Sequence, residues 1–181
     1  MIVVVGPSGA GKDTLIDYAA ERLRHNPDVN FVRRVITRDS DAGGENHLGC
    51  TEDAFERKKL AGEFCVSWSA HGLHYGIPAS VKEHLKHGGV AVANGSRSAL
   101  PHFRSAFPSL KVVVVTARPE ILSARLANRG RESMAEIMDR LDRKVEVICD
   151  DVDVTTIDNS GEIEEAGSAL LALVQDYLPA R

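Results

Sequence analysis

The 181-residue length allows one large domain or a domain with a small appendage rather than two independent cores. With 43% hydrophobic residues, 27% charged residues and 15 Gly, the composition is that of a globular protein and excludes long disordered or fibrous character. The net charge of −4 lacks the basic excess that non-specific nucleic-acid binding needs, and no apolar run approaches the length of a membrane span. The cysteines Cys50, Cys65 and Cys149 match no common zinc or disulfide spacing, so the expectation is a cytoplasmic protein with reduced thiols.

The chain opens with the β-branched run Ile2-Val3-Val4-Val5, the glycine-rich segment Gly6 to Gly11, and a helical pattern through Leu15, Ile16, Ala19, Ala20 and Leu23. Asn26-Pro27-Asp28 ends that helix, and residues 31–36 read as a second strand in which Arg33 and Arg34 break the alternation. Residues 37–50 are polar, glycine-rich and too long for a simple turn, as functional loops are. Thr51 predicts a cap for a helix over roughly 52–61. Residues 64–69 and 73–76 predict two short strands around His71-Gly72, and Pro78 predicts the start of a helix to about His87.

Val90 to Ala93 is the next buried strand, with the polar end Asn94-Gly95-Ser96-Arg97, followed by a helix near 98–106 and a strand over 112–115. Pro119 begins a helix that Gly130 interrupts and that the capping-box spacing of Ser133 and Glu136 restarts. A strand over 152–157 and a helix over roughly 162–177 end the chain. Apolar strands alternating with helices predict an α/β, three-layer architecture around a parallel central sheet, with a strand-rich insertion over about 37–77.

Gly6-Pro7-Ser8-Gly9-Ala10-Gly11-Lys12 matches the phosphate-binding loop pattern G-x-x-x-x-G-K and lies between the first strand and the first helix, where the mechanism requires it. Its backbone N–H groups are expected to cradle ATP at the positive end of the helix, with Lys12 reaching the β and γ phosphates. Asp13 stands where Ser or Thr commonly follows the lysine. A carboxylate beside a triphosphate is favourable only across a cation, so Asp13 is the candidate Mg²⁺ contact, and Thr14 is left for the α-phosphate.

Arg125, Arg129, Arg131 and Arg140 flank Gly130, and the planar guanidinium is suited to bidentate phosphate contacts. Arg125 is a candidate ATP contact, and the other three are candidate catalytic residues on a small hinged lid. His71, His74 and Cys65 supply only three donors and do not make a convincing metal site.

The P-loop, Thr37-Arg38, His71-Gly72-Leu73-His74-Tyr75-Gly76 and the run from Arg125 to Glu132 resemble guanylate kinases in that order. That family reads guanine with acidic side chains, whereas an ungapped comparison places Val66 and Asn94 at those points. The replacements, including Ala42 to His47, Asn94 to Arg97, Thr116 to Glu120 and the Asp after Lys12, resemble the guanylate kinase-like ribose 1,5-bisphosphate phosphokinase family. The resemblance implies a P-loop kinase fold with a core of about 1–36, 78–124 and 149–181, an acceptor-binding insertion over 37–77 and a lid over 125–148. It implies transfer of ATP's γ-phosphoryl group, with Mg²⁺, to a small sugar bisphosphate in phosphonate breakdown. It gives Arg38 and Tyr75 the acceptor phosphate and makes Glu45, Asn46, Asn94 and Arg97 further acceptor contacts. A homodimer is compatible with it. A guanylate kinase with altered base contacts and a non-catalytic binding module are the competing expectations.

Overall fold

A computed structural model describes residues 1–41, 45–128 and 153–179. Two sheets organise them. The first is parallel, in the order β2 (Val29–Phe31), β7 (Val90–Asn94), β1 (Ile2–Val5), β8 (Lys111–Thr116) and β9 (Asp153–Asp158). The second is mixed, in the order β4 (Leu48–Gly49), β3 (Val35–Ile36), β6 (Leu73–Pro78) and β5 (Phe64–Ala70).

β1 is apolar at every position because both of its faces are covered. Ile2 and Val4 pack on one side with Leu15 and Ala19 of α1 (Lys12–Arg22) and with Ala166, Leu170 and Val174 of the last helix, α6 (Ile163–Asp176). Val3 and Val5 face the other side, against Val81 of α3 (Ser80–Lys86), Phe103 of α4 (Leu100–Ala106) and Trp68 and Ile77 of the second sheet. The alternation of side chains along a strand thus divides four consecutive apolar residues between two cores, each fully buried aliphatic side chain contributing about 1.5–3 kcal/mol of transfer free energy. The expected three-layer parallel architecture is present.

Among the described residues the remaining α-helices are α2 (Glu52–Leu60) and α5 (Pro119–Asn128). Thr51 caps α2 as expected, its hydroxyl accepting from the Ala54 N–H at 3.2 Å. The loop between β5 and β6 is the two-residue His71-Gly72, with φ of 52° and 72°, as a hairpin turn whose twist matches the strands requires.

Two expectations are corrected. Residues 31–36 do not form one strand: residues 29–31 belong to the parallel sheet and residues 35–36 to the second, with the crossing at Val32, Arg33 and Arg34. The paired arginines that broke the alternation mark where the chain leaves one sheet for the other. Pro78 does not open a helix; it ends β6 opposite Phe64, and α3 starts at Ser80. A proline lacks only the N–H, and at a strand's end that donor is dispensable.

Candidate active site

The loop after β1 curls because its glycines allow it to. Gly11 caps α1 in the left-handed region, with φ of 88°, and a Cβ there would run into the Asn159 side chain. Gly6, with φ of 155°, has the Val115 carbonyl where a Cβ would stand. Asn159, which sequence reasoning did not single out, follows β9 and donates from Nδ2 to the Ala10 carbonyl at 2.7 Å. It braces the loop from across the sheet. Its signal was a polar residue just past the carboxyl end of a parallel strand, where α/β sheets bind ligands. Lys12 Nζ donates to the Gly6 and Pro7 carbonyls, both at 3.1 Å, and so lies along the loop.

Two depressions flank this loop. One, of about 360 Å³, is lined by Gly9, Gly11, Thr14, Arg125, Asn159, Gly161 and Ile163. Arg125 Nη1 and Asn159 Oδ1 are buried there without hydrogen-bond partners, polar atoms suited to a ligand's edge. The other, of about 200 Å³, has Gly6, Ser8, Gly9, Gly11, Lys12 and Asp13 on one wall, Arg34, Trp68, Ala70, His71 and Tyr75 on the opposite wall, and Asn94 to Ser96 at the end of β7.

The structure thus gathers Gly6, Ser8, Gly9, Gly11, Lys12, Asp13, Tyr75 and Asn94 around one cleft, with Thr14 and Arg125 on the adjoining one. Pro7 and Ala10 are the loop's internal acceptors. Arg38 and Glu45 stand behind the cleft wall, 3.9 Å apart, and Glu45 is paired with Arg34. Asn46 is exposed, and neither it nor Arg97, which opens the 3₁₀ turn Arg97–Ala99, lines the cleft. Arg129, Arg131 and Arg140 lie outside the described residues. Arg34 was missed as a site residue. Its neighbour Arg33 shared the signal, and only the passage between sheets shows which of the two turns inward.

The loop over 37–50 is held by His47, 2% exposed, whose ring nitrogens lie 3.0 Å from the Glu45 carbonyl and 3.1 Å from the Asp39 carbonyl. Arg33 Nη2 donates to the His47 carbonyl at 3.3 Å. Among the described residues no cluster of three His, Cys, Asp or Glu could hold a metal ion, and no helix is long and apolar enough to cross a membrane.

Asp13 nevertheless fits a cation that shares its shell with phosphates. Its Oδ1 accepts from Asn94 Nδ2 at 2.5 Å, while Asn94 Oδ1 is buried without a partner, so the site offers a carboxylate and an unpartnered amide oxygen, both donors of the kind Mg²⁺ takes. Burial, then the nearby Glu45 carboxylate, push the Asp13 pKa above the ordinary carboxylate value. Folding therefore favours the protonated acid. Stability of the unliganded protein falls as pH rises from the unfolded carboxylate's range through the raised folded value, and is flat above it. Asp13→Asn, which removes that cost, is expected to raise the melting temperature at neutral pH. The same substitution should raise the Mg²⁺ concentration needed for half-maximal turnover. A thermal melt with no gain, together with an unchanged Mg²⁺ titration, would remove both parts.

Comparison with known proteins agrees with this geometry. A family model described as an AAA domain matches residues 2–146. The ribose 1,5-bisphosphate phosphokinase PhnN of Agrobacterium fabrum is 58% identical over 175 residues, 97% of this chain and 96% of that protein. Its counterpart in Rhizobium etli is 53% identical over 98% of this chain and 90% of that protein. Among solved structures, guanylate kinase from Anaplasma phagocytophilum has the same fold, with a TM-score of 0.73 at 15% identity over 99% of this chain and 86% of that one. The P-loop between β1 and α1, the second sheet set across the cleft from it and the near full-length identity to these kinases agree: the chain belongs to the ribose 1,5-bisphosphate phosphokinase family, on a guanylate kinase-like P-loop fold.

Proposed function

We propose that this chain transfers the γ-phosphoryl group of ATP to the 1-phosphate of ribose 1,5-bisphosphate, giving 5-phosphoribosyl 1-diphosphate and ADP, in the cytoplasm and in phosphonate catabolism. The observation that carries this reading is the composition of the cleft wall facing the P-loop: an arginine and stacked aromatic rings, with the buried Val66 in the strand behind and an amide at Asn94. A wall reading a purine edge would need carboxylates there, and their loss costs orders of magnitude in selectivity. The wall suits a phosphate on a small ring that lays a C–H face against the aromatic stack, as a sugar does.

Lys12 and the backbone of residues 6–11 hold the donor's phosphates, with Thr14 and Arg125 on the side of the adjoining depression. We assign the reacting phosphate of the acceptor to Tyr75 on the cleft wall and to Arg38 reaching from behind it, with Asn94 at the end of β7 and Glu45 behind the wall in support; Asn46 and Arg97, which stand off the cleft, are further contacts on the resemblance alone. Burial pushes the Tyr75 pKa up, which keeps the phenol protonated as a hydrogen-bond donor. Asp13, with Asn94 beside it, would hold the Mg²⁺ that accompanies ATP, which would supply neutralisation of charge on the donor's phosphates. A phosphate monoester, with a second pKa of about 6, is largely dianionic at neutral pH, so its oxygen attacks without a general base. The new P–O bond forms at the γ phosphorus as the bond to the β-bridging oxygen breaks, and ADP leaves with that electron pair. Orientation and charge neutralisation are the protein's contribution, with Arg129, Arg131 and Arg140 assigned to the lid that covers the transfer.

The test is ADP release with ATP, Mg²⁺ and either ribose 1,5-bisphosphate or GMP, with the product identified by mass. Phosphoribosyl diphosphate from the sugar and little GDP from GMP is the expected result. GDP alone would overturn the reading. The same preparation, sized by light scattering, tests the homodimer.

A further inference from the structure

Arg34 is 7% exposed and lines the cleft opposite the P-loop. Its guanidinium carbon lies 4.9 Å from the Tyr75 ring centre and 5.7 Å from that of Trp68, and the two rings stack 5.2 Å apart at 9°. On one edge, Nε donates to Glu45 Oε2 at 2.9 Å and Nη2 donates to Oε1. A guanidinium has two bidentate edges, and Glu45 occupies only the Nε/Nη2 edge. Nη1 makes no hydrogen bond among the described residues and is not among the fully buried atoms that lack partners. The Nη1/Nη2 edge is therefore the one that can take an incoming oxyanion.

We infer that Arg34 binds the acceptor's second, non-reacting phosphate and so makes the enzyme demand a bisphosphate, with Glu45 as the positioning residue that fixes the guanidinium. The inference rests on the function proposed above. Arg38 and Tyr75 already provide for the phosphate that must come up to Lys12. An acceptor with one phosphate needs one such group, and besides Arg38 behind the wall the wall itself carries Arg34, held rigidly by a carboxylate and two rings. Removing that cation from water is costly, and an anion on its open edge offsets the cost. A phosphate with fork geometry is suited to that edge, and the Trp68–Tyr75 stack beside it gives the sugar ring an apolar face.

The experiment compares wild type with Arg34→Lys, which keeps the charge and loses the fork, and with an Arg34→Gln/Glu45→Gln double variant, which removes the pair together and leaves Arg38 with its 3.4 Å contact to His47 Nδ1. Thermal melts establish that each is folded. KM for ribose 1,5-bisphosphate is measured, with ribose 5-phosphate and ribose 1-phosphate as competitive inhibitors, each carrying one of the two phosphates. In Arg34→Lys, KM for the bisphosphate and the inhibition constant of ribose 5-phosphate are expected to rise together, by roughly 30- to 100-fold for loss of a charge-assisted bidentate contact. The inhibition constant of ribose 1-phosphate should stay within about 3-fold, as expected for a contact that it never makes. Equal losses for both monophosphates, or no loss for ribose 5-phosphate, would overturn the assignment. So would a wild-type enzyme on which ribose 5-phosphate inhibits no better than ribose. Failure of wild type to use ribose 1,5-bisphosphate at all would instead count against the proposed function.

Discussion

Lys12→Ala is expected to lower kcat by about 10³-fold, the scale on which a positioned charge stabilises a transferring phosphoryl group. Lys12 Nζ donates to the carbonyls of Gly6 and Pro7, so its ammonium lies along the loop proposed to cradle the donor phosphates. Removing it deletes a charge that matters most when negative charge develops, and removes little packing. The melting temperature without nucleotide should therefore fall by no more than about 4–8 °C, the scale of two lost hydrogen bonds of about 1 kcal/mol each at this size. Single-turnover kinetics would check this: retained phosphoryl transfer in a folded Lys12→Ala protein would end the P-loop mechanism.

The largest effect on stability is expected from Glu45→Ala. Its carboxylate lies against Arg34 with side-chain exposures of 14% and 8%, and Arg38 Nη2 is 3.9 Å away. Truncation leaves the Arg34 cation in a half-aromatic pocket without its hydrogen-bonded carboxylate, a loss of about 3–5 kcal/mol for a broken buried pair. At this chain length that is a fall of about 10 °C in melting temperature. A fall under about 2 °C would place the pair among solvated surface bridges worth about 0–1 kcal/mol. Because Glu45 is also a cause of the raised Asp13 pKa, the variant's pH profile should be flatter between the ordinary and the raised carboxylate values.

What the sequence revealed was what neighbouring residues determine together. The strand–loop–helix around the P-loop, the Thr51 cap and the His71-Gly72 turn are each decided within a few positions, and all three are present. What it concealed depends on pairing between distant segments. Nothing local says that Phe31 pairs with Val92 while Val35 pairs with Gly76, so one apparent strand is two and the arginines between them gain their place only from that division. Arg34 and Asn159 share this difficulty: each meets its partners, Glu45 and Tyr75 or Ala10, only once the sheets exist. Pro78 misled because a residue that often starts helices also tolerates the last position of a strand.

The order of the parallel sheet has a consequence during synthesis. β1, at its centre, is made first, yet it pairs with residues 92–94 of β7 and residues 111–114 of β8. At ribosomal rates of about 5–20 residues per second, its four apolar side chains wait roughly 6–20 s before both partner strands exist. Until then Ile2 to Val5 are a short β-branched segment with open edges, which a holding chaperone must shield or another nascent chain can capture. The glycine-rich loop after β1 is completed later still, because its brace, Asn159, is translated after both. A truncated translation product ending before β9 would therefore bear the P-loop motif without the residue that braces it.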